Sequence, residues 1–100
     1  MPKEKNFELD EILSCRGKTR ILMLLSETGE LNITEIAKSV GLNHSSIINH
    51  LKQLEETGLV QEKRFGRIRI YKYRDDDPRA QALRALIKVW DEVNNQKFRD

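Results

Sequence analysis

Residues 31–60 read LNITEIAKSVGLNHSSIINHLKQLEETGLV, and this stretch decides the fold. Asn32 stands where a helix needs a cap, and Glu35 three residues on completes a capping box. Ile36, Ala37 and Val40 then form one buried stripe, and Gly41 supplies a left-handed or close-packed position at the turn. Asn43 caps a second helix, in which Ile47, Leu51 and Leu54 fall at i, i+4 and i+7. Gly58 ends that helix before Leu59 and Val60 open a strand. Two helices crossing through so short a turn project the second from the surface, the arrangement that enters the major groove of DNA.

The next fourteen residues, QEKRFGRIRIYKYR from Gln61 to Arg74, set Lys63, Arg64, Arg67, Arg69, Lys72 and Arg74 against one acid, Glu62. That is a local charge of +5 in a chain whose total is +2. The pattern alternates: Ile68 and Ile70 point one way while Arg67, Arg69, Tyr71 and Tyr73 point the other. Phe65-Gly66, at the midpoint, is expected at the tip of a hairpin, although Phe is not a favoured turn residue. A solvated edge hairpin also carries cations against aggregation, but that role does not account for so one-sided a charge. A basic hairpin directly after a helix-turn-helix reads as a wing.

These features resemble the winged helix-turn-helix of the arsenical-repressor-like (ArsR-like) family, a pattern shared by several bacterial and archaeal regulator families. The resemblance is carried by Arg20-Ile21-Leu22 with Leu24-Leu25, by Thr34-Glu35-Ile36-Ala37 and by Gly41-Leu42. It continues in Ser45, His50-Leu51-Lys52, Leu54, Glu56-Thr57-Gly58-Leu59-Val60 and the basic hairpin. It implies a mainly α (α+β) fold of about five helices with a β-hairpin wing, and a dimer built through the first and last helices. Residues 1–100 then read as a single domain: an N-terminal helix in 1–14, the winged core in 15–74 and a C-terminal dimerisation helix in 75–100.

One hundred residues, 38% of them apolar, make one modest core. The longest apolar run, Ile21 to Leu25, is far too short to span a bilayer. The opening MPKEKNFELDE has no apolar signal region, which points to a cytoplasmic, nucleoid-associated protein with no membrane partner. A single cysteine leaves no disulfide within one chain. Metal sensing, common among the resembled regulators, draws no support here. One Cys and two His, both in the second motif helix, do not supply the usual ligand sets. No metal and no cofactor is expected, any small-molecule effector stays open, and no nucleophile–base–orienter set suggests an enzyme. Gly17-Lys18-Thr19 lacks the upstream glycine of a phosphate loop, because Ile12 stands there.

Outside the motif, Asn6 to Leu13 is expected as a first helix with Phe7, Leu9, Ile12 and Leu13 as its apolar positions. Ser14 is expected to cap the next helix, which carries Ile21, Leu24 and Leu25 to the core and stops at Gly29. Asp77 caps and Pro78 begins a last helix, with Asp75 and Asp76 favouring its positive end. Leu83, Leu86, Ile87, Trp90 and Val93 form one stripe along it. Covering that stripe is the expected work of a two-fold dimer through Phe7, Ile12, Leu83, Leu86, Ile87, Trp90 and Val93, the alternative being packing within the chain's own domain. Cys15 reads as a half-buried small hydrophobe; the sharper reading is a redox-sensitive thiol or an intersubunit disulfide near the two-fold axis.

The residues expected to touch DNA are His44, Ser45, Ser46, Ile48, Asn49, Lys52 and Gln53 on the second motif helix, with Lys63, Arg64, Arg67 and Arg69 on the wing. Serine hydroxyls and first-turn amides suit a phosphate, and Asn49 and Gln53 match the N6 and N7 edge of adenine. Ile48 either meets a thymine methyl or is a half-covered apolar residue. The wing arginines would follow phosphates or enter the minor groove, and Lys18 and Arg20 add backbone contacts or are solvated cations. His50 reads as a packing residue. The expected function is sequence-specific binding of double-stranded DNA by a homodimeric transcriptional regulator. Two alternatives stand beside it: a chromosomal DNA-organising protein of low specificity, and a winged-helix protein–protein interaction module.

Overall fold

The computed structural model describes residues 7–99. The chain runs α1 (Leu9–Leu13), α2 (Arg16–Thr28), β1 (Glu30–Asn32), α3 (Ile33–Val40), α4 (His44–Thr57), β2 (Val60–Phe65), β3 (Ile68–Tyr73) and α5 (Pro78–Arg99). The strands form one antiparallel sheet in the order β1-β3-β2.

Local chemistry sets the helix-turn-helix. The Asn32 carboxamide accepts from the Glu35 amide at 2.8 Å, and the Glu35 carboxylate accepts from the Asn32 amide at 2.9 Å, so both halves of the capping box are made. Gly41 closes α3 in the left-handed region at φ +80°. Two residues later Asn43 Oδ1 accepts from the Ser46 amide at 2.9 Å and starts α4. The stripe Ile47, Leu51 and Leu54 is fully buried, against Ile21, Leu22 and Leu25 of α2 and Ile36 of α3. Leu22 joins this core and Leu24 lies only partly in it, so the buried stripe of α2 is rotated toward Leu22 relative to the expected Ile21, Leu24 and Leu25.

The wing base completes the core. Val60, Tyr71 and Tyr73 face inward, so the tyrosine side of the alternation is the buried one and Ile68 is left outside. Phe65 pairs with Ile68 across a two-residue turn in which Gly66, at φ +62°, adopts the positive dihedral required of the first turn residue in a type II′ hairpin.

The last helix is tied down by polar groups. Tyr73 Oη donates to the Ala80 carbonyl at 2.6 Å, and Arg84 Nε donates to the Ser26 carbonyl at 3.0 Å with its guanidinium 4.8 Å from the Tyr73 ring centroid. Asp77 Oδ1 accepts from the Arg79 amide at 2.8 Å, and Arg79 Nη2 donates to the last α4 carbonyl, that of Thr57, at 2.7 Å. The final helix therefore docks on both α2 and the end of α4.

Four expectations change. The first helix is shorter than expected, starting at Leu9 behind Glu8, whose capping box with Glu11 fixes its origin; Asn6 lies outside the described residues. Ser14 is the C-cap of α1, not the N-cap of α2: its hydroxyl turns back to the Glu11 carbonyl, and Cys15 takes the N-cap position without a side-chain bond. Glu30–Asn32 adds a third strand on β3, where a hairpin of two strands was expected. Ile12, expected at a dimer face, is 5% exposed within the core of its own protomer.

Candidate nucleic-acid interface

The outer edge of α4 presents His44, Ser45, Asn49 and Lys52 exposed, with Ser46, Ile48 and Gln53 half-buried beside them. Burial of Ile47, Leu51 and Leu54 rolls the helix so that this polar edge faces away from the core. At its start the Ser46 amide is bonded by Asn43, while the His44 and Ser45 amides occupy first-turn positions that have no intrahelical acceptor. A phosphate finds there two N–H donors and the positive helix end.

His50 belongs to the packing instead. Its ring lies against the start of α2, where a Cβ built on Gly17 would come within 2.6 Å of Nε2, so the helices meet this closely because Gly17 has no side chain. Cys15 Sγ sits 4.0 Å from His50 Nδ1. Burial, and then the charge of Lys18, lower the imidazole pKa below its ordinary value. The half-buried Cys15 thiol is thus engaged within its own protomer, and the intersubunit disulfide draws no support.

In the wing, Glu62 gathers its neighbours. Its carboxylate accepts from Arg69 Nε at 3.1 Å and from Tyr71 Oη at 3.0 Å, and pairs with Arg64 Nε at 3.5 Å. Burial alone would raise the Glu62 pKa, but the tyrosine hydroxyl and the two arginines outweigh it and hold the carboxyl below its ordinary range. Tyr71 is pushed the other way, to about 12, by burial and by the adjacent carboxylate. Lys63 pairs with Glu30 of β1 at 3.8 Å. Arg67, exposed in the turn, makes no ion pair among the described residues.

All eleven expected contact residues therefore lie on α4 or the β2–β3 hairpin. Sequence reasoning passed over Glu62 as the organiser of two of them, although strand periodicity puts Glu62 and Arg64 on one face and the hairpin register brings Arg69 and Tyr71 across to it. It also left Phe65 and Ile68 without a role.

A second surface is apolar. Leu86, Trp90 and Val93 of the expected stripe are exposed and Leu83 and Ile87 half-buried; Val89, Leu9, Leu13 and Met23, not in the expected set, are exposed as well. Phe7 is half-buried against the core. Leu13, Met23, Leu86 and Trp90 line a common hollow between α1, α2 and α5. No helix among the described residues is long and apolar enough to cross a membrane.

Comparison with known proteins matches residues 15–62 to the family described as bacterial regulatory protein, arsR family. The arsenical resistance operon repressor of Escherichia coli is 29% identical over 83 residues, covering 83% of this chain and 70% of its own length. The arsenic resistance transcriptional regulator ArsR1 of Pseudomonas putida is 28% identical over 79 residues, and this chain spans only 60% of its length. Among solved structures, a homodimeric winged helix-turn-helix DNA-binding domain from Mycobacterium bovis has a TM-score of 0.66 at 28% identity, covering 82% of this chain and 73% of its own. The AntR antimony-specific transcriptional repressor shares the fold with a TM-score of 0.71, covering 96% of both chains at 21% identity. The capped helix pair, the charged hairpin behind it and these matches together identify an ArsR-like winged helix-turn-helix, with residues 15–62 as the portion that matches the arsR family.

Proposed function

We propose that the protein is a homodimeric, sequence-specific regulator of transcription that binds double-stranded DNA with α4 in the major groove and the β2–β3 wing on the flanking backbone or minor groove. The observation that carries this reading is the exposed polar edge of α4, His44, Ser45, Asn49 and Lys52, on a helix whose opposite stripe is wholly buried. Asn49 and Gln53 are its base readers, offering paired donor and acceptor groups to adenine. Ser45, Ser46, Lys52, Lys63, Arg64, Arg67 and Arg69 serve phosphates and fix the register. The exposed apolar residues of α1, α2 and α5 support a two-fold dimer, as does the homodimeric relative. Two-fold symmetry calls for a palindromic site with half-sites about one helical turn apart or a multiple of it.

The arsenic and antimony named by relatives are not carried over to this chain. Its cysteine is Cys15 alone, which does not make a thiolate set, and His50 is held in the α2–α4 contact. The half-burial of Ile48 and Gln53 leaves few side chains free for base edges, which favours low-specificity duplex binding as the second reading.

Selection of bound sites from a random duplex pool tests both. The regulator reading expects a small set of palindromes, and Asn49→Ala or Gln53→Ala should change which of them are preferred, at a cost of about 1–3 kcal/mol for each lost base contact. An even distribution of recovered sequences, or equal losses on every sequence in both variants, supports the second reading. No binding at low salt removes both and favours a protein–protein module.

A further inference from the structure

The tip of the wing pairs two apolar side chains that the fold does not use. Phe65 is 60% exposed and Ile68 54% exposed. They are directly opposed across the hairpin, so they share one face, and the next pair down that face is Lys63 and Ile70. Arg67 stands between them at the turn, and Gly66 at φ +62° keeps that turn to two residues. The one acid of the hairpin, Glu62, lies on the opposite face and is engaged by Arg64, Arg69 and Tyr71. What projects is an apolar end with Arg67 at the turn, unpaired among the described residues, and Lys63 below it, the latter shared with the exposed Glu30 of β1 at 3.8 Å.

We infer that Phe65 and Ile68 form an apolar wedge that seats in the minor groove of duplex DNA. The complementarity is chemical: the groove presents apolar sugar edges between two rims of phosphate, and the wing presents two apolar side chains between cations. Aliphatic and aromatic side chains pressed into a minor groove widen it and unstack base steps. Such a wedge reads deformability, preferring flexible pyrimidine–purine steps at positions where no hydrogen bond is made. It adds a source of specificity to a recognition helix with few base readers. This inference rests on the DNA-binding reading, whose own failure shows as a wild-type protein that binds no duplex.

The test uses the full chain and duplexes selected from a random pool, with the steps beneath the wing changed from TA or CA to a stiff A-tract. Phe65→Ala and Ile68→Ala should keep the wild-type unfolding midpoint, because both side chains are exposed. Each should lower affinity about tenfold on the flexible flank, leave the salt slope unchanged and remove the preference for that flank. Arg67→Ala should behave oppositely, flattening the slope by about 0.9 while keeping the flank preference. End-to-end fluorescence transfer across the duplex should report a bend with wild type that decreases in Phe65→Ala. Wild-type affinity in both alanine variants overturns the wedge and leaves the DNA reading standing. A change in oligomeric state with DNA binding unaltered overturns it in favour of a protein contact at the wing tip. Absence of binding by the wild type overturns the DNA reading, and the wedge with it.

Discussion

At the scale of the residue, Glu62 decides how much of the wing's charge is offered outward. Its carboxylate engages Arg64, Arg69 and Tyr71, so two of the six cations between Gln61 and Arg74 are partly neutralised from behind. Glu62→Gln should release both guanidinium groups to phosphates. The expected result is a severalfold rise in duplex affinity and a salt slope steeper by about 0.9 for each added contact. Tyr71 should ionise below its present value of about 12, as followed by ultraviolet titration. An unchanged slope would show that the arginines make the same phosphate contacts with or without the clamp. His50 governs pH dependence. Its folded pKa lies below the ordinary 6.5, because burial and Lys18 disfavour the cation. The unfolded chain therefore takes up the proton first, and the contribution to stability is present above that value and lost as pH falls through the lower folded one. Urea midpoints taken from about pH 8 down to about pH 5 should decline less in His50→Gln than in wild type. A parallel decline in the two proteins would mean that other groups set the acid response.

At the scale of the element, the start of α5 couples the last helix to α4. Asp77 caps the first turn, with its carboxyl held at about 2, chiefly by Arg79 and then by the backbone amides it accepts from. The same Arg79 donates to the Thr57 carbonyl at the end of α4. Asp77→Ala should cost about 0.5–2 kcal/mol, the usual range for an N-cap, and should speed amide exchange at the first turn of α5. If exchange there stays at wild-type rates, Pro78 and the Tyr73–Ala80 hydrogen bond suffice to start the helix.

At the scale of the whole molecule, the apolar side formed by α1, α2 and α5 needs a cover. Trp90 is 64% exposed, near Leu86 and Val93, and large aromatics at the centre of an interface tend to dominate its energy. Trp90→Lys should weaken the dimer by about thirtyfold or more, a loss of about 2 kcal/mol, seen as a monomer in sedimentation. Binding to a palindrome should fall with it, while a single half-site is bound as before. A stable dimer in that variant would place the two-fold axis elsewhere.

Much of this molecule was already legible in the order of its residues. Caps at Asn32, Asn43 and Asp77, stops at Gly29, Gly41 and Gly58, and the buried stripe of α4 all follow from chemistry acting within a few residues, where sequence distance and spatial distance agree. The eleven residues proposed to touch DNA could be placed on α4 and the hairpin for the same reason: periodicity alone says which side of a helix or strand is left over. What needed the tertiary structure is contact between segments far apart in the chain. Glu30–Asn32 becomes a strand because β3 offers it an edge some forty residues on. Ile12 is buried because α2 lies over it, and Gly17 matters because the His50 ring comes to rest against it. Glu62 gathers its partners only once the hairpin register sets Tyr71 opposite it. Each of these depends on a free energy shared between two elements, and no local pattern in either one records it.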